Sequence, residues 1–155
     1  MTNIPRAVAL DDVSKAIIEQ LQIDGRKSYS DIGRAVELSE AAVRQRVQKL
    51  IESGVMQIVA VTDPMQLGFY RQAMIGIRST GDSRVIADAI AAIDAVEYVV
   101  LTAGSFDMLA EVVCEDDDSL LDLLNGQIRA VPGVVQTEVF TYLQLKKQQY
   151  NWGTL

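Results

Sequence analysis

The chain has 155 residues, of which 49% are apolar and 23% charged, with a net charge of −7 and no histidine. That length suits one ordinary domain or two small ones. The missing histidine excludes imidazole metal sites, histidine-dependent triads and histidine general bases. The single cysteine, Cys114, excludes an intrachain disulfide, and within the apolar run Met108–Cys114 it reads as a buried small hydrophobe.

No apolar run approaches the roughly 20 residues that a membrane helix needs. The opening Met1-Thr-Asn-Ile-Pro-Arg6 has no apolar core of a signal peptide. The expected location is therefore the cytoplasm, with no membrane partner. The acidity is unevenly placed: through Thr62 there are eight Lys/Arg against eight Asp/Glu, and from Asp63 onward six against thirteen. A local basic face in the first half is compatible with the overall charge, so a nucleic-acid partner stays open.

Taken in order, Met1 to Ala9 reads as a frayed arm. A first helix opens at Asp11 or Asp12, carries Val13, Ile17 and Leu21 as its inner stripe, and closes at Asp24-Gly25. Ser28-Tyr-Ser-Asp31 is a capping-box pattern for a second helix with Ile32 and Val36 inward. Ser39 caps a third helix that ends before Gly54. On it Val43, Val47 and Leu50 face inward, leaving Ala41, Ala42, Arg44, Gln45, Gln48 and Lys49 outside. The alanines permit close approach, and the long side chains donate hydrogen bonds. Such a helix fits the major groove of double-stranded DNA, where Arg favours guanine, Gln favours adenine and Lys reaches guanine or phosphate. An ordinary amphipathic helix with a solvated polar side has the same pattern. Arg46 lies nearer the inner stripe, which suits phosphate or structural work. Val55–Thr62 is a β-rich run suited to a wing and connector, so residues 1–62 read as a winged helix-turn-helix DNA-binding domain.

Asp63-Pro-Met-Gln-Leu-Gly68 breaks the regular pattern and marks a linker over 63–70. Residues 71–155 then alternate. Arg71–Arg78 is a strand with Ala73, Ile75 and Ile77 on one face. Ser83–Ile93 is a helix with Val85, Ile86, Ala89, Ile90 and Ile93 inward. Tyr98–Thr102 and Phe106–Cys114 are strands around an Ala103-Gly-Ser105 turn. Asp116-Asp-Asp-Ser119 opens a helix burying Leu120, Leu121, Leu124 and Ile128, and Val134–Leu143 is the last strand. The order β-α-β-β-α-β is a ferredoxin-like split unit in an α+β protein, with two helices on one sheet face and the other bare. The bare face is assigned Met74, Val99, Leu101 and Val139 or Phe140, and an apolar face of that kind marks an interface, such as a symmetric pair. Asp116-Asp-Asp118 reads as dipole partners at a helix start rather than a metal site.

With both halves in view, the chain resembles the Lrp/AsnC (feast/famine) transcriptional regulators from Leu10 to Tyr142. The resemblance rests on Leu10-Asp11, Asp24-Gly-Arg26, Leu38-Ser39, Val43-Arg-Gln-Arg-Val47, Leu50-Ile-Glu-Ser-Gly-Val55, Asp63-Pro64, Leu67-Gly68, Gly104-Ser-Phe-Asp107 and Pro132-Gly-Val134. It implies a DNA-binding domain followed by a RAM-type domain for ligand sensing and assembly. It further implies homodimers that associate into tetramers or octamers, and an amino acid or related metabolite as effector, with no cofactor and no metal. By this likeness the DNA-binding positions are Ser39, Ala41, Ala42, Arg44, Gln45, Arg46, Gln48 and Lys49. The effector positions are Tyr98, Val100, Thr102, Gly104, Ser105, Phe106 and Asp107, with Gln136 or Thr137 from a neighbouring subunit.

The Gly104 turn would bring backbone N–H groups to an α-carboxylate, and Asp107 would meet an α-ammonium. Alternatively, Gly104 only makes a hairpin turn and Asp107 only bonds its own loop. Two positions depart from the family pattern: Glu37 stands where the turn between helices usually has glycine, and Gly33 where alanine is usual. Function then reads as a sequence-specific regulator modulated by an amino acid. The alternatives are a broadly binding nucleoid-organising protein and a ferredoxin-like enzyme, for which no converging acid and base can be assembled.

Overall fold

The computed structural model describes residues 9–155, so most of the arm expected at Met1 to Ala9 lies outside the described residues. The chain divides into two compact units. The first runs to Ala60 and takes in Lys147–Leu155, and the second runs Val61–Lys146. The last nine residues thus belong with the first unit rather than with the second, where the sequence placed them.

The first unit is three helices: α1 (Asp12–Ile23), α2 (Tyr29–Val36) and α3 (Glu40–Glu52). Each begins where a short side chain can accept from an orphan amide. Asp11 takes the Ser14 N–H at 2.8 Å, Ser28 the Asp31 N–H at 3.1 Å, and Ser39 the Ala42 N–H at 3.2 Å. The inner stripes meet as expected. Ile17, Leu21, Ile32, Val43 and Val47 form the core, with Val13, Tyr29, Val36, Leu38 and Met56 packed around it. The wing expected over Val55–Thr62 is not formed, because this stretch makes no strand among the described residues and its Val59 and Val61 stand exposed. β propensity alone does not make a strand without a partner to share its ladder.

The turn between α2 and α3 explains both departures noted in the sequence. Glu37 adopts φ 57° and ψ 41°, the left-handed conformation that glycine usually supplies. One turn earlier, a Cβ on Gly33 would lie 2.5 Å from the Leu38 carbonyl oxygen. The chain therefore accepts strain at Glu37 while Gly33 admits the backbone of the turn. Gly33 is a packing requirement and not merely a weak helix former.

The second unit is β1 (Arg71–Ser79), α4 (Ser83–Ala91), β2 (Val96–Leu101), β3 (Met108–Cys114), α5 (Asp117–Asp122) and β4 (Val134–Thr141). A π-helical stretch, Leu123–Ile128, continues α5. The sheet order β2-β3-β1-β4, antiparallel throughout, is that of the ferredoxin-like split unit. Its core joins Ala73, Ile75 and Ile77 with Met108, Ala110, Val112 and Cys114, under Ile86, Ala87 and Ile90 of α4 and Leu120, Leu123, Leu124 and Ile128. Leu120, Leu123 and Leu124 are buried at i, i+3 and i+4 spacing, which leaves Leu121 on the outer side and exposed, against the expectation for Leu121. On α4, Ala87 is buried where Val85 and Ala89 had been expected, and both of those are exposed.

Strand register corrects the bare face. Val99 pairs with Ala110, Leu101 with Met108 and Val139 with Ile75, so these three lie on the helix-covered side. A bulge between Val96 and Tyr98 shifts the alternation of β2, and a one-residue shift exchanges the faces. The bare face instead carries Met74, Gly76 and Arg78, Tyr98 and Val100, Leu109, Glu111 and Val113, and Phe140. Of the residues assigned to it from sequence, Met74 and Phe140 stand.

Thermal denaturation tests the turn. Glu37→Gly should raise stability by several tenths to about 1 kcal/mol, the relief of a left-handed side-chain residue less the added freedom of the unfolded glycine. Gly33→Ala should lower it by about 1–3 kcal/mol, because the new Cβ forces the turn apart.

Candidate functional site

The outer face of α3 is built as the sequence indicated. Val43, Val47 and Leu50 are buried, while Ala41, Arg44, Gln45, Gln48 and Lys49 are exposed and Ala42 is half-buried. This helix is anchored on one side and presents a band of hydrogen-bond donors on the other. Gln48 donates to Glu52 at 2.8 Å. Arg44 pairs with Glu40 at 2.8 Å and its guanidinium lies 5.2 Å from the centroid of the Tyr29 ring. Ser39 is exposed but uses its hydroxyl to cap α3.

Arg46 does not share that face. Its guanidinium reaches back to α1, donating to both Asp11 oxygens at 3.0 and 2.7 Å and to the Ser14 hydroxyl at 3.0 Å. Of the two roles the sequence left open for Arg46, this geometry is the structural one. Asp11 caps α1 and binds α3 with the same carboxylate. Its pKa is held down to about 2 from the ordinary 3.8, with Ser14 the largest cause and Arg46 the next.

The second group of candidate residues surrounds the turn between β2 and β3. Thr102 N–H donates to the Asp107 carbonyl at 2.9 Å, and the Thr102 hydroxyl to the Phe106 carbonyl at 2.5 Å. The Asp107 carboxylate accepts from the Ser79 N–H at 2.6 Å and the Ser79 hydroxyl at 3.2 Å. The carboxylate thus clasps the turn to the end of β1, a partner outside its own loop that neither sequence reading named. Gly104 and Ser105 are exposed at the tip, and a Cβ at Gly104 would meet nothing within 4 Å. Space alone therefore does not demand glycine there.

Phe106 leaves the turn to lie on the bare sheet face. A Cβ at Gly76 would come within 2.7 Å of its ring, so the absent side chain makes the seat. Phe140 meets that ring edge-on, with centroids 6.0 Å apart and planes at 77°, and the Arg78 guanidinium sits 5.9 Å from its centroid. Sequence reasoning named Phe106 but missed Gly76, Arg78 and Leu109. Their even–odd alternation along β1 and β3 was the available signal. Elsewhere on this face Gln72 donates to Glu111 at 2.8 Å. The Tyr142 hydroxyl is pushed up to about 12, by burial first and then by the charge of Glu111.

The structure does not bring all the effector candidates together within one chain. Tyr98 and Val100 lie on β2, at one edge of the sheet, whereas Gln136 and Thr137 lie on β4 at the other. Three strand spacings separate those edges, on the order of 14 Å. Thr137 accepts from Arg129 at 2.9 Å, which ties it to its own helix end, while Gln136 is exposed beside Arg78. Among the described residues no cluster of His, Cys, Asp or Glu is arranged to hold a metal ion, and no helix is long and apolar enough to cross a membrane.

Comparison with known proteins places both units. A model of the AsnC-type helix-turn-helix domain matches residues 10–51. A model of the C-terminal dimeric alpha+beta barrel domain of AsnC-type transcriptional regulators matches residues 83–155. An uncharacterized HTH-type transcriptional regulator of Pyrococcus abyssi is 31% identical over 150 residues, 96% of this chain and 92% of its own length. The crystal structure of the leucine response regulatory protein LrpA of Mycobacterium tuberculosis is 27% identical with a TM-score of 0.81, covering 90% of this chain and 96% of that one. A transcriptional regulator of Neisseria meningitidis, solved as its L-Met complex, shares the fold at a TM-score of 0.80 and 20% identity, covering 92% and 96%.

The Asp11 carboxylate, held by Ser14 and then by Arg46, gives a pH dependence. A carboxylate with a depressed folded-state pKa contributes stability that is complete above about pH 4 and is lost as the pH falls toward 2. Arg46→Ala should move the Asp11 carboxyl titration, followed by NMR, upward toward its ordinary value, and should flatten the acid limb of the stability curve.

Proposed function

Because the chain belongs to the Lrp/AsnC family of helix-turn-helix transcriptional regulators, we propose that it reads specific DNA sequences with α3 and that an amino acid or related small metabolite modulates this binding. The observation that carries the reading is the split character of α3. Its inner stripe is buried, while Arg44, Gln45, Gln48 and Lys49 project from the opposite side behind two alanines. In a major groove these side chains meet base edges and nearby phosphates, and Ser39 holds the helix start in register. Arg46 acts indirectly, by fixing α3 against α1.

The second unit pairs with a second copy through the bare face of its sheet, and dimers associate further into tetramers or octamers. The family's C-terminal domain is dimeric, and the face around Phe106 and Phe140 offers the apolar surface that such pairing buries. The effector binds near Tyr98, Val100, Thr102, Gly104, Ser105 and Phe106 without any cofactor. Gln136 or Thr137 comes from a neighbouring subunit, which accounts for the two sheet edges. The L-Met bound by the structurally similar Neisseria regulator supports this ligand class. The ligand favours one packing of dimers over another and so shifts the spacing of the reading helices, a linkage between two sites. Such a regulator works in the cytoplasm, on the nucleoid.

Two measurements test this. Arg44→Ala and Gln45→Ala should each weaken binding to an operator duplex by about 1–3 kcal/mol, with less effect on random duplex. Unchanged affinity in both variants would displace the reading face from α3, and equal wild-type affinity for operator and random duplex would make the protein a general nucleoid binder. A thermal-shift screen of the twenty amino acids should find at least one that stabilises the folded chain, by about 2.7 kcal/mol at a hundredfold excess over its Kd. No response to any of them would overturn the proposed effector class.

A further inference from the structure

Arg44 differs from the other exposed arginine of the helix pair. Among the described residues Arg34 is paired only within its own helix, to Asp31 at 2.9 Å, and its side chain is 77% exposed against 62% for Arg44. Arg44 is held from two directions by two helices. Glu40, one turn earlier on α3, takes its Nη2 at 2.8 Å, and the Tyr29 ring of α2 lies beneath its guanidinium at 5.2 Å. Tyr29 is itself half-buried against the core of the first unit, so its ring is a fixed platform rather than a mobile surface group. Three side chains from the starts of two helices thus form one stack that faces outward.

From this geometry we infer that Tyr29 and Glu40 are positioning residues that preset the Arg44 guanidinium for one base and thereby set specificity at that base pair. The inference rests on the reading of α3 given above. A free arginine loses rotamer entropy when it is fixed on a guanine, and a fork already held in place loses less. The ring face supports the planar cation, and the carboxylate fixes its rotation about the long side chain. Glu40 has a second effect. A carboxylate at the start of the reading helix repels phosphates, so it penalises random contact while Arg44 supports the specific one. Neither residue needs to touch a base.

The test uses the full-length chain. Duplexes that the wild type retains from a random-sequence pool define a site, and single-base substitutions then identify the pair whose discrimination Arg44→Ala abolishes. Tyr29→Leu keeps apolar bulk but removes the ring, and should reduce discrimination at that pair about three- to fivefold while leaving other pairs unchanged. Tyr29→Phe keeps the ring and should retain wild-type discrimination. Glu40→Gln, on the surface, should lower discrimination at the same pair and strengthen binding to random duplex.

Wild-type discrimination in both Tyr29→Leu and Glu40→Gln would overturn the inference while leaving α3 as the reading helix. A uniform loss across all pairs would overturn it too, since that is what a merely structural role produces. If Tyr29→Leu does not fold, Glu40→Gln decides alone. A wild-type chain that selects no site at all would remove both this inference and the function it rests on.

Discussion

The second unit is governed by one constraint: a sheet has two faces, and the described helices of this unit cover only one of them. Antiparallel pairing of β1 with β3 and β4 sends Ala73, Ile75 and Ile77 to the helices and Met74, Gly76 and Arg78 away from them. The helix side is closed by α4, α5 and the π-helical turn after it. On the other side Phe106, folded back over Gly76 and met edge-on by Phe140, gathers apolar surface that no helix of this unit covers among the described residues. Each buried Å² of such surface is worth roughly 25 cal/mol, so mating two of these faces is the economical way to remove it from water. The polar groups on the same face, Gln72 with Glu111 and Arg78 over Phe106, give that surface a defined orientation.

The same reasoning at smaller scale shapes the first unit. Three short helices bury Ile17, Ile32, Val43 and Val47, and what remains on α3 is a row of long polar side chains. Two arginines two residues apart on α3 divide the labour. Arg46 is drawn inward by Asp11 and Ser14 and binds the helices together, whereas Arg44 stays outside over Tyr29. The turn that sets the angle between α2 and α3 is strained at Glu37 and relieved by the missing Cβ of Gly33. A turn with φ > 0 at a non-glycine residue costs about 1–2 kcal/mol, which the packing of three helices sustains.

Much of this was legible in the sequence because it depends on local signals. The three capping residues Asp11, Ser28 and Ser39, the inner stripes and the β-α-β-β-α-β order all follow from spacing and short-range hydrogen bonding. What was not legible depends on partners distant in the chain. The bulge at β2 exchanged the faces assigned to Val99 and Leu101, and Val55–Thr62 pairs with no strand among the described residues. For the sites, the outer face of α3 could be read from periodicity, but the attachment of Arg46 to Asp11 spans 35 residues and could not. Nor could the engagement of Asp107 with Ser79, or the seat that Gly76 gives Phe106, since both join residues that only the strand register brings together.

The claim on which the rest turns is that the uncovered sheet face is mated in solution. Sedimentation equilibrium of the full chain at micromolar concentration measures this directly. The account predicts species of at least two copies of the 17.0 kDa chain, shifted toward single copies when Phe106→Asp places a charge on the face. A wild-type chain that sediments as a single copy, with that face open to water, would contradict it.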